Sequence, residues 1–230
     1  MTLLPWDRLP NAMRLEEVRP YYEILARRRF RIFLCRVADR VLAAALLLLL
    51  SPIFAAVAIC IKLDSPQEPV IFRQTRVTQY GRKFSICKFR TMTSNRKEGE
   101  NPAVTTCNDA RVTRPGLFLR RSRLDELPQL WNILKGEMAF VGVRPEVPSY
   151  VARYTPEMMA TLLLPAGLTS EASIAYQDEA RLLVPGCDVD EVYLTQILPA
   201  KMGYNLRELR VYGPLHCLKI MFRTLFAVAA

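Results

Sequence analysis

The feature that most constrains the fold of this chain is an uncharged, apolar run from Val41 to Ile61. A helix of that length is about 30 Å long at a rise of ~1.5 Å per residue, which matches the ~30 Å hydrocarbon core of a bilayer. The run begins too late and is too long to be a cleavable signal peptide. It therefore predicts a membrane element.

The centre of this run carries Ser51-Pro52, which predicts a kink because proline removes one helical hydrogen bond. The Ser51 hydroxyl can satisfy a freed carbonyl in lipid. Both flanks are basic: residues 14–40 hold eight Lys and Arg against four acids, and residues 62–90 hold seven against two. Since basic flanks stay cytoplasmic, a kinked helix that enters and leaves on one face fits both ends. An ordinary crossing with a proline kink is the alternative.

Residues 111–146 place an adjacent acid pair, Asp125-Glu126, among several cations. Apolar residues recur here at helical spacing, at Leu124, Leu127, Trp131 and Leu134. They predict a helix that Ser122 would cap and Gly136 would end. A carboxylate in a first helical turn beside arginines is held ionised, and the same place attracts a phosphate. The pair is therefore a candidate nucleophile and metal ligand. A mere complement to the helix dipole is the alternative.

Residues 70–92 alternate in a way that predicts a β-hairpin with its turn near Gln79-Tyr80-Gly81. Lys88 and Arg90 would share one face of the second strand, where they would suit a phosphate or simply be solvated. On the helix that approaches the apolar run, Arg36 and Asp39 lie three residues apart. They could pair across one face, either near the membrane or as an ordinary solvated pair.

Several motifs, in order, resemble those of the bacterial sugar transferases, the monotopic phosphoglycosyl transferases that start glycan assembly on a polyprenol carrier. The resemblance is strong from about residue 33 to residue 150 and weaker beyond. Its residues are RVADR, SP and IKLDSP within 36–66, VIFRQTRVTQYGRKFSICKFRTM at 70–92, NDARVTRPGLFLRRSRLDELPQL at 108–130 and LDELPQLWNILKGEMAFVGVRPE at 124–146. PAGLTSEASIAY at 165–176 also looks like a later segment of the family.

The resemblance implies a two-step reaction that begins glycan or exopolysaccharide biosynthesis. Asp125 would attack the sugar-linked phosphate of a UDP-sugar and release UMP. Polyprenyl (undecaprenyl) phosphate would then attack the aspartyl intermediate, giving a polyprenyl-diphosphate-sugar. Asp125 and Glu126 would bind Mg²⁺.

The resemblance also assigns the phosphate-binding cations. Lys88, Arg120 and Arg144 match those of the family, and Arg90, on the strand face of Lys88, joins that set. The chain departs from the family at Val143, where a proline is usual, and in the segment 165–173. These departures leave the donor preference open, together with the glycan pathway.

The resulting expectation is an α+β fold, mostly helical, with a small β-hairpin, an N-terminal re-entrant membrane helix and amphipathic interfacial helices. Residues 1–32 would form an arm, 33–66 the membrane hairpin, and 67–230 a catalytic domain on the cytoplasmic face of the bacterial inner membrane. A C-terminal apolar face would lie on lipid or pack into the core. Its residues are Leu215, Leu218, Phe222, Leu225 and Ala229.

The net charge of +10 favours anionic partners. The expected ones are a UDP-sugar, polyprenyl phosphate and anionic phospholipid. A membrane-anchored nucleic-acid binder would use the same charge, but no reader motif is present, so a nucleic-acid partner is not expected. Six cysteines without a CxxC pair and a single histidine give no zinc or Ser-His constellation. The sequence leaves a homodimer open.

Overall fold

The computed structural model of the chain describes residues 3–93, 111–177 and 189–229. Helices dominate these ranges and two small sheets accompany them, which confirms the predicted α+β class. The α-helices are α1 (Arg19–Ala26), α2 (Arg29–Leu49), α3 (Ser51–Asp64), α4 (Arg114–Arg121), α5 (Gln129–Lys135), α6 (Pro148–Val151), α7 (Glu171–Ala175), α8 (Val189–Val192), α9 (Leu198–Val211) and α10 (Pro214–Ala229).

The predicted β-hairpin is confirmed. Strands β1 (Ile71–Val77) and β2 (Lys83–Phe89) pair antiparallel, with Phe72 opposite Lys88. The turn at Gln79–Gly81 reverses the chain through positive φ angles at Tyr80 (61°) and Gly81 (73°). A glycine adopts this conformation without steric cost, which suits it to so tight a reversal.

A second sheet, which the sequence did not reveal, pairs β3 (Met138–Val141) in parallel with β4 (Ala166–Thr169). Both strands are short and almost wholly buried, so they lack the polar alternation that identifies a strand. Just after β3, Gly142 crosses so close to Gly167 that a Cβ on Gly167 would lie 2.2 Å from the Gly142 backbone. The two glycines therefore set the spacing of this sheet.

We expect Gly167→Ala to destabilise the fold by about 1–3 kcal/mol, because its methyl group would have to displace backbone rather than a flexible side chain. Gly203→Ala in the middle of α9 is the matched control. A Cβ there meets nothing within 4 Å, so the change should stabilise by about 0.5–1 kcal/mol through helix propensity. Chemical denaturation in detergent measures both, and equal effects would contradict the close approach.

The apolar run is divided between α2 and α3, which are bent by 62°. Pro52 has no N–H for the carbonyl of Leu48, and the Ser51 hydroxyl donates to that carbonyl instead at 2.8 Å. The predicted kink at Ser51-Pro52 is thereby confirmed. No single helix in the described ranges is both long and apolar enough to cross a bilayer, and only this bent pair meets that criterion together.

Residues 3–32, expected to form part of a separate arm, pack into the core. Leu9, Met13, Val18 and Leu25 are buried in one cluster with the turn at Met158–Leu163 and with α9. The prolines and basic residues of this segment suggested a short arm, but its large apolar residues are buried or half-buried, with the exception of Phe30, which is 72% exposed. The segment thus holds α2 against the rest of the domain.

The C-terminal helix α10 has the predicted amphipathic character. Ile220 is fully buried beside β3, whereas the predicted apolar face is exposed. Leu215, Leu218, Phe222 and Leu225 on that face are all half-exposed or more. Within the described side chains, this face is not packed into the core.

Candidate active site

The acid pair Asp125-Glu126 lies on a 3₁₀ turn (Leu124–Glu126) that precedes α5. We expected one helix from Ser122 onward, and this is corrected. Pro128 has no N–H for the Leu124 carbonyl, so α5 begins only at Gln129. The Ser122 hydroxyl donates back to the Phe118 carbonyl at 2.8 Å rather than capping a new helix. The predicted end at Gly136 is confirmed by its left-handed conformation.

Glu126 is clamped between two cations from different parts of the chain. Lys88 Nζ on β2 lies 3.0 Å from Oε1 of Glu126. Arg144, in the loop after β3, reaches the same carboxylate with both terminal nitrogens, at 2.5 and 3.3 Å. Burial of Glu126 opposes its ionisation, but the charges of Arg144 and Lys88 outweigh burial and hold its pKa well below the ordinary range. Glu126 is therefore a fixed anion.

Asp125 has the opposite electrostatic situation, although it is equally buried. Burial raises the pKa of Asp125, Lys88 opposes this, and the neighbouring charge of Glu126 raises the pKa further. No donor in the described ranges hydrogen-bonds its carboxylate. The two adjacent acids thus differ: the Glu126 carboxylate is neutralised by direct contacts, whereas the pKa of Asp125 is raised in the same cationic site.

Arg120 also acts on Asp125 through its charge, which favours the ionised carboxylate. Its guanidinium donates to Thr91 Oγ1 at 3.0 Å and so is fixed just beyond β2. Gly116 permits this approach, because a Cβ there would lie 2.2 Å from the Thr91 carbonyl. Three of the predicted cations, Lys88, Arg120 and Arg144, are therefore brought to the acid pair.

The structure places the remaining predicted residues elsewhere. Arg90 pairs with Glu68 at 3.2 Å and donates to the Pro69 carbonyl. Its assignment as a phosphate ligand stays a prediction. Arg36 and Asp39 make no direct ion pair, although the charge of Arg36 favours the ionised form of Asp39. Arg36 donates to the Gln79 side chain at 3.2 Å, and Asp39 accepts from the Phe140 backbone.

Sequence reasoning missed Asn132, which joins the two halves of the site. Its carbonyl oxygen accepts from the Cys87 N–H at 3.0 Å, and its amide nitrogen donates to the Ser85 carbonyl at 2.8 Å. The side chain therefore fastens α5 to β2 beside Lys88. An asparagine within the apolar sequence LWNIL was a signal, because a buried amide must find partners.

The donor set of the acid pair fits Mg²⁺, which prefers oxygen ligands and is often bound through one or two carboxylates together with substrate phosphates. Across the described parts of the chain, no cluster of three or more His, Cys, Asp or Glu side chains could hold a metal by itself. A cation at Asp125-Glu126 would therefore have to complete its coordination with substrate oxygens and water.

We expect opposite stability effects from the two acids. Glu126→Gln should destabilise by about 1–3 kcal/mol, because it leaves Lys88 and Arg144 without their shared carboxylate. Asp125→Asn should be neutral or stabilising at pH 7, since burial disfavours that charge. Because the pKa of Asp125 is raised, the wild type should lose stability relative to Asp125→Asn as pH rises through that pKa. Denaturation curves at acidic and neutral pH test this; equal losses for both variants would contradict the division.

The chain is similar in sequence to known proteins. The family described as bacterial sugar transferase matches residues 30–230. A UDP-glucose:undecaprenyl-phosphate glucose-1-phosphate transferase of Escherichia coli K12 is 36% identical over 198 residues, covering 83% of this chain and 39% of the relative. A protein of the same name from Caulobacter vibrioides is 43% identical over 142 residues, covering 60% of this chain and 52% of the relative.

A third relative carries a different sugar in its name. The UDP-N-acetylgalactosamine-undecaprenyl-phosphate N-acetylgalactosaminephosphotransferase of Aeromonas hydrophila is 42% identical over 126 residues, covering 55% of this chain and 29% of the relative. The chain thus spans less than two thirds of the length of each of these three relatives. Since the family match extends over most of the chain, the chain belongs to the bacterial sugar transferase family.

Proposed function

We propose that this chain transfers a phosphosugar from a UDP-sugar to undecaprenyl phosphate or a related polyprenyl phosphate. The observation that carries the proposal is the unequal acid pair: Glu126 is neutralised by direct contacts with Lys88 and Arg144, whereas the Asp125 carboxylate accepts no hydrogen bond within the described ranges and feels these cations only through their charge. A carboxylate in that state is suited to attack phosphorus, and the cations that surround it are suited to the phosphates on either side. The names of the relatives support the donor and acceptor classes.

The reaction would proceed in two displacements. An oxygen of Asp125 attacks the sugar-linked phosphorus of the UDP-sugar, the bond from that phosphorus to the bridging oxygen breaks, and UMP leaves. A phosphate oxygen of the polyprenyl phosphate then attacks the phosphorus of the aspartyl phosphosugar, and the Asp125 carboxylate is released. Dividing the transfer lets one small site use a soluble donor and a lipid acceptor in turn.

The cations of the site would stabilise the charge that moves during both displacements. Arg144 and Lys88 already neutralise one carboxylate, and Arg120 acts on Asp125 from α4. A guanidinium can contact two phosphate oxygens at once, which favours Arg144 and Arg120 for the diphosphate. When bound at Asp125-Glu126, Mg²⁺ would supply further neutralisation of the diphosphate. Glu126 would keep the side chains of Lys88 and Arg144 in place between the two steps.

The exposed apolar surface supports a membrane location. Leu48 and Leu49 at the bend are 79% and 73% exposed, and Leu63 at the end of α3 is 78% exposed. Such a surface is costly in water and is favourable in lipid. We infer that α2 and α3 enter and leave the cytoplasmic face of the bacterial inner membrane, with α10 lying on the anionic lipid surface.

We expect Asp125→Asn to abolish UMP release, because the amide keeps the shape of the side chain but is not a nucleophile. Purified protein would be incubated with Mg²⁺, a panel of UDP-sugars and undecaprenyl phosphate, and UMP would be quantified. Asp7→Asn, an exposed acid in the N-terminal segment, is the matched control and should retain full activity. A turnover rate for Asp125→Asn within about tenfold of the wild type would exclude the covalent mechanism.

The path of the apolar run can be tested separately. Arg31 precedes the run in the sequence and Lys83 follows it, and both side chains are exposed. In a cysteine-free background, Arg31→Cys and Lys83→Cys should both resist a membrane-impermeant thiol reagent in intact cells, and both should react after permeabilisation. Labelling of one position from outside would mean that the run crosses the membrane, whatever the enzyme activity.

A further inference from the structure

The loop that carries Arg144 has no regular secondary structure of its own. It follows β3 and is held by its backbone: the Val143 carbonyl accepts from the Gly167 N–H at 2.8 Å, and the Glu146 carbonyl accepts from the Val77 N–H at 2.9 Å. Arg76 adds a hydrogen bond to the Pro145 carbonyl at 3.2 Å. A long guanidinium side chain on such a loop needs these fixed points if it is to reach Glu126 in one orientation.

The side chain of Glu146, which is not part of the acid pair, also holds this loop in place. Glu146 is buried, and its Oε1 accepts a hydrogen bond from the Tyr193 hydroxyl at 2.6 Å. Its other oxygen lies 3.9 Å from Arg76. Lys201 of α9 donates to the same Tyr193 hydroxyl at 3.2 Å. A buried carboxylate is stable only when it is paired in this way.

Tyr193 begins the π-helical turn Tyr193–Ile197, which joins α8 to α9. Such turns insert one extra residue and re-aim a side chain, and they are frequent at functional sites. The Tyr193 ring stacks on that of Tyr150 with centroids 5.0 Å apart. The Tyr150 hydroxyl itself points elsewhere, to Asp190 at 2.6 Å. Of the two stacked tyrosines, Tyr193 is the one whose hydroxyl donates to Glu146, two positions after Arg144.

We propose that Tyr193 is a positioning residue that orients Arg144 through Glu146, with Lys201 fixing the tyrosine hydroxyl. Pro145 restricts the backbone between Arg144 and Glu146, so that holding the Glu146 side chain also holds the loop that presents Arg144. The proposal rests on the proposed function for its effect on catalysis. Its structural part concerns this loop alone.

Tyr193→Phe and Tyr150→Phe form a matched pair, because each removes one hydroxyl and keeps the ring stack. Tyr193→Phe should lower kcat for UMP release by about tenfold or more, the size expected for losing a hydrogen bond to a charged group, with little change in KM for the donor. Tyr150→Phe should remain within about twofold of the wild type. Equal kinetics for the two variants would overturn the proposal.

A double-mutant cycle tests the path through Arg144. In an Arg144→Lys background, the guanidinium that Tyr193 orients is gone, so Tyr193→Phe should cause no further loss in kcat. Independent, multiplying losses would mean that Tyr193 does not act through Arg144. Both single variants should still unfold in one cooperative transition above the assay temperature, which separates a positioning effect from loss of the fold.

Hydrogen exchange provides a readout that does not depend on activity. Tyr193→Phe should speed exchange of the Gly167 and Val77 amides, which donate to the Val143 and Glu146 carbonyls of this loop, by about tenfold, whereas Tyr150→Phe should not. Unchanged exchange in Tyr193→Phe would overturn the positioning of the loop. If wild-type protein released no UMP from any UDP-sugar, the proposed function would fail, and the exchange data would still decide the positioning.

Discussion

The contact between Glu126 and its two cations is the interaction on which the rest of the site depends. Lys88 comes from the β-hairpin and Arg144 from the loop after β3, so the Glu126 carboxylate links two parts of the chain that belong to different sheets. The same contact uses up one negative charge of the acid pair. What remains is a cationic, partly buried site with a second carboxylate, Asp125, whose charge is disfavoured by burial and by Glu126. The structural contact and the proposed reactivity are thus assigned to neighbouring residues.

Backbone geometry allows this separation. Arg123 adopts a left-handed conformation with φ of 57°, and both acids are buried on the 3₁₀ turn that follows. Helix α5 begins only after Pro128. A non-glycine residue at positive φ costs energy, and the cation contacts of Glu126 offset that cost. Asn132 then fixes α5 to β2, so the acids and Lys88 keep one geometry.

Much of this could be predicted from residue patterns. The bend at Ser51-Pro52 followed from the missing proline N–H, and the hairpin followed from alternation around a Gly-containing turn. Helical periodicity predicted a helix that begins after Ser122. Periodicity does not show where a proline interrupts the backbone hydrogen bonds, so the predicted start of α5 was wrong. Two features were not predicted: the parallel β3–β4 pair and the Glu146–Tyr193 contact. Both join residues that are distant in sequence and leave no local sequence pattern. The packing of residues 3–32 was also not predicted, since it depends on contacts with the turn at Met158–Leu163 and with α9.

The central claim is that Asp125 carries the phosphosugar between the two displacements. Intact-protein mass spectrometry, after incubation with Mg²⁺ and an accepted UDP-sugar but without polyprenyl phosphate, tests it most directly. We expect a mass increase of one phosphosugar, located on the peptide that contains Asp125, which disappears when undecaprenyl phosphate is added. An enzyme that turns over with no such adduct, or with the adduct on another residue, would contradict it.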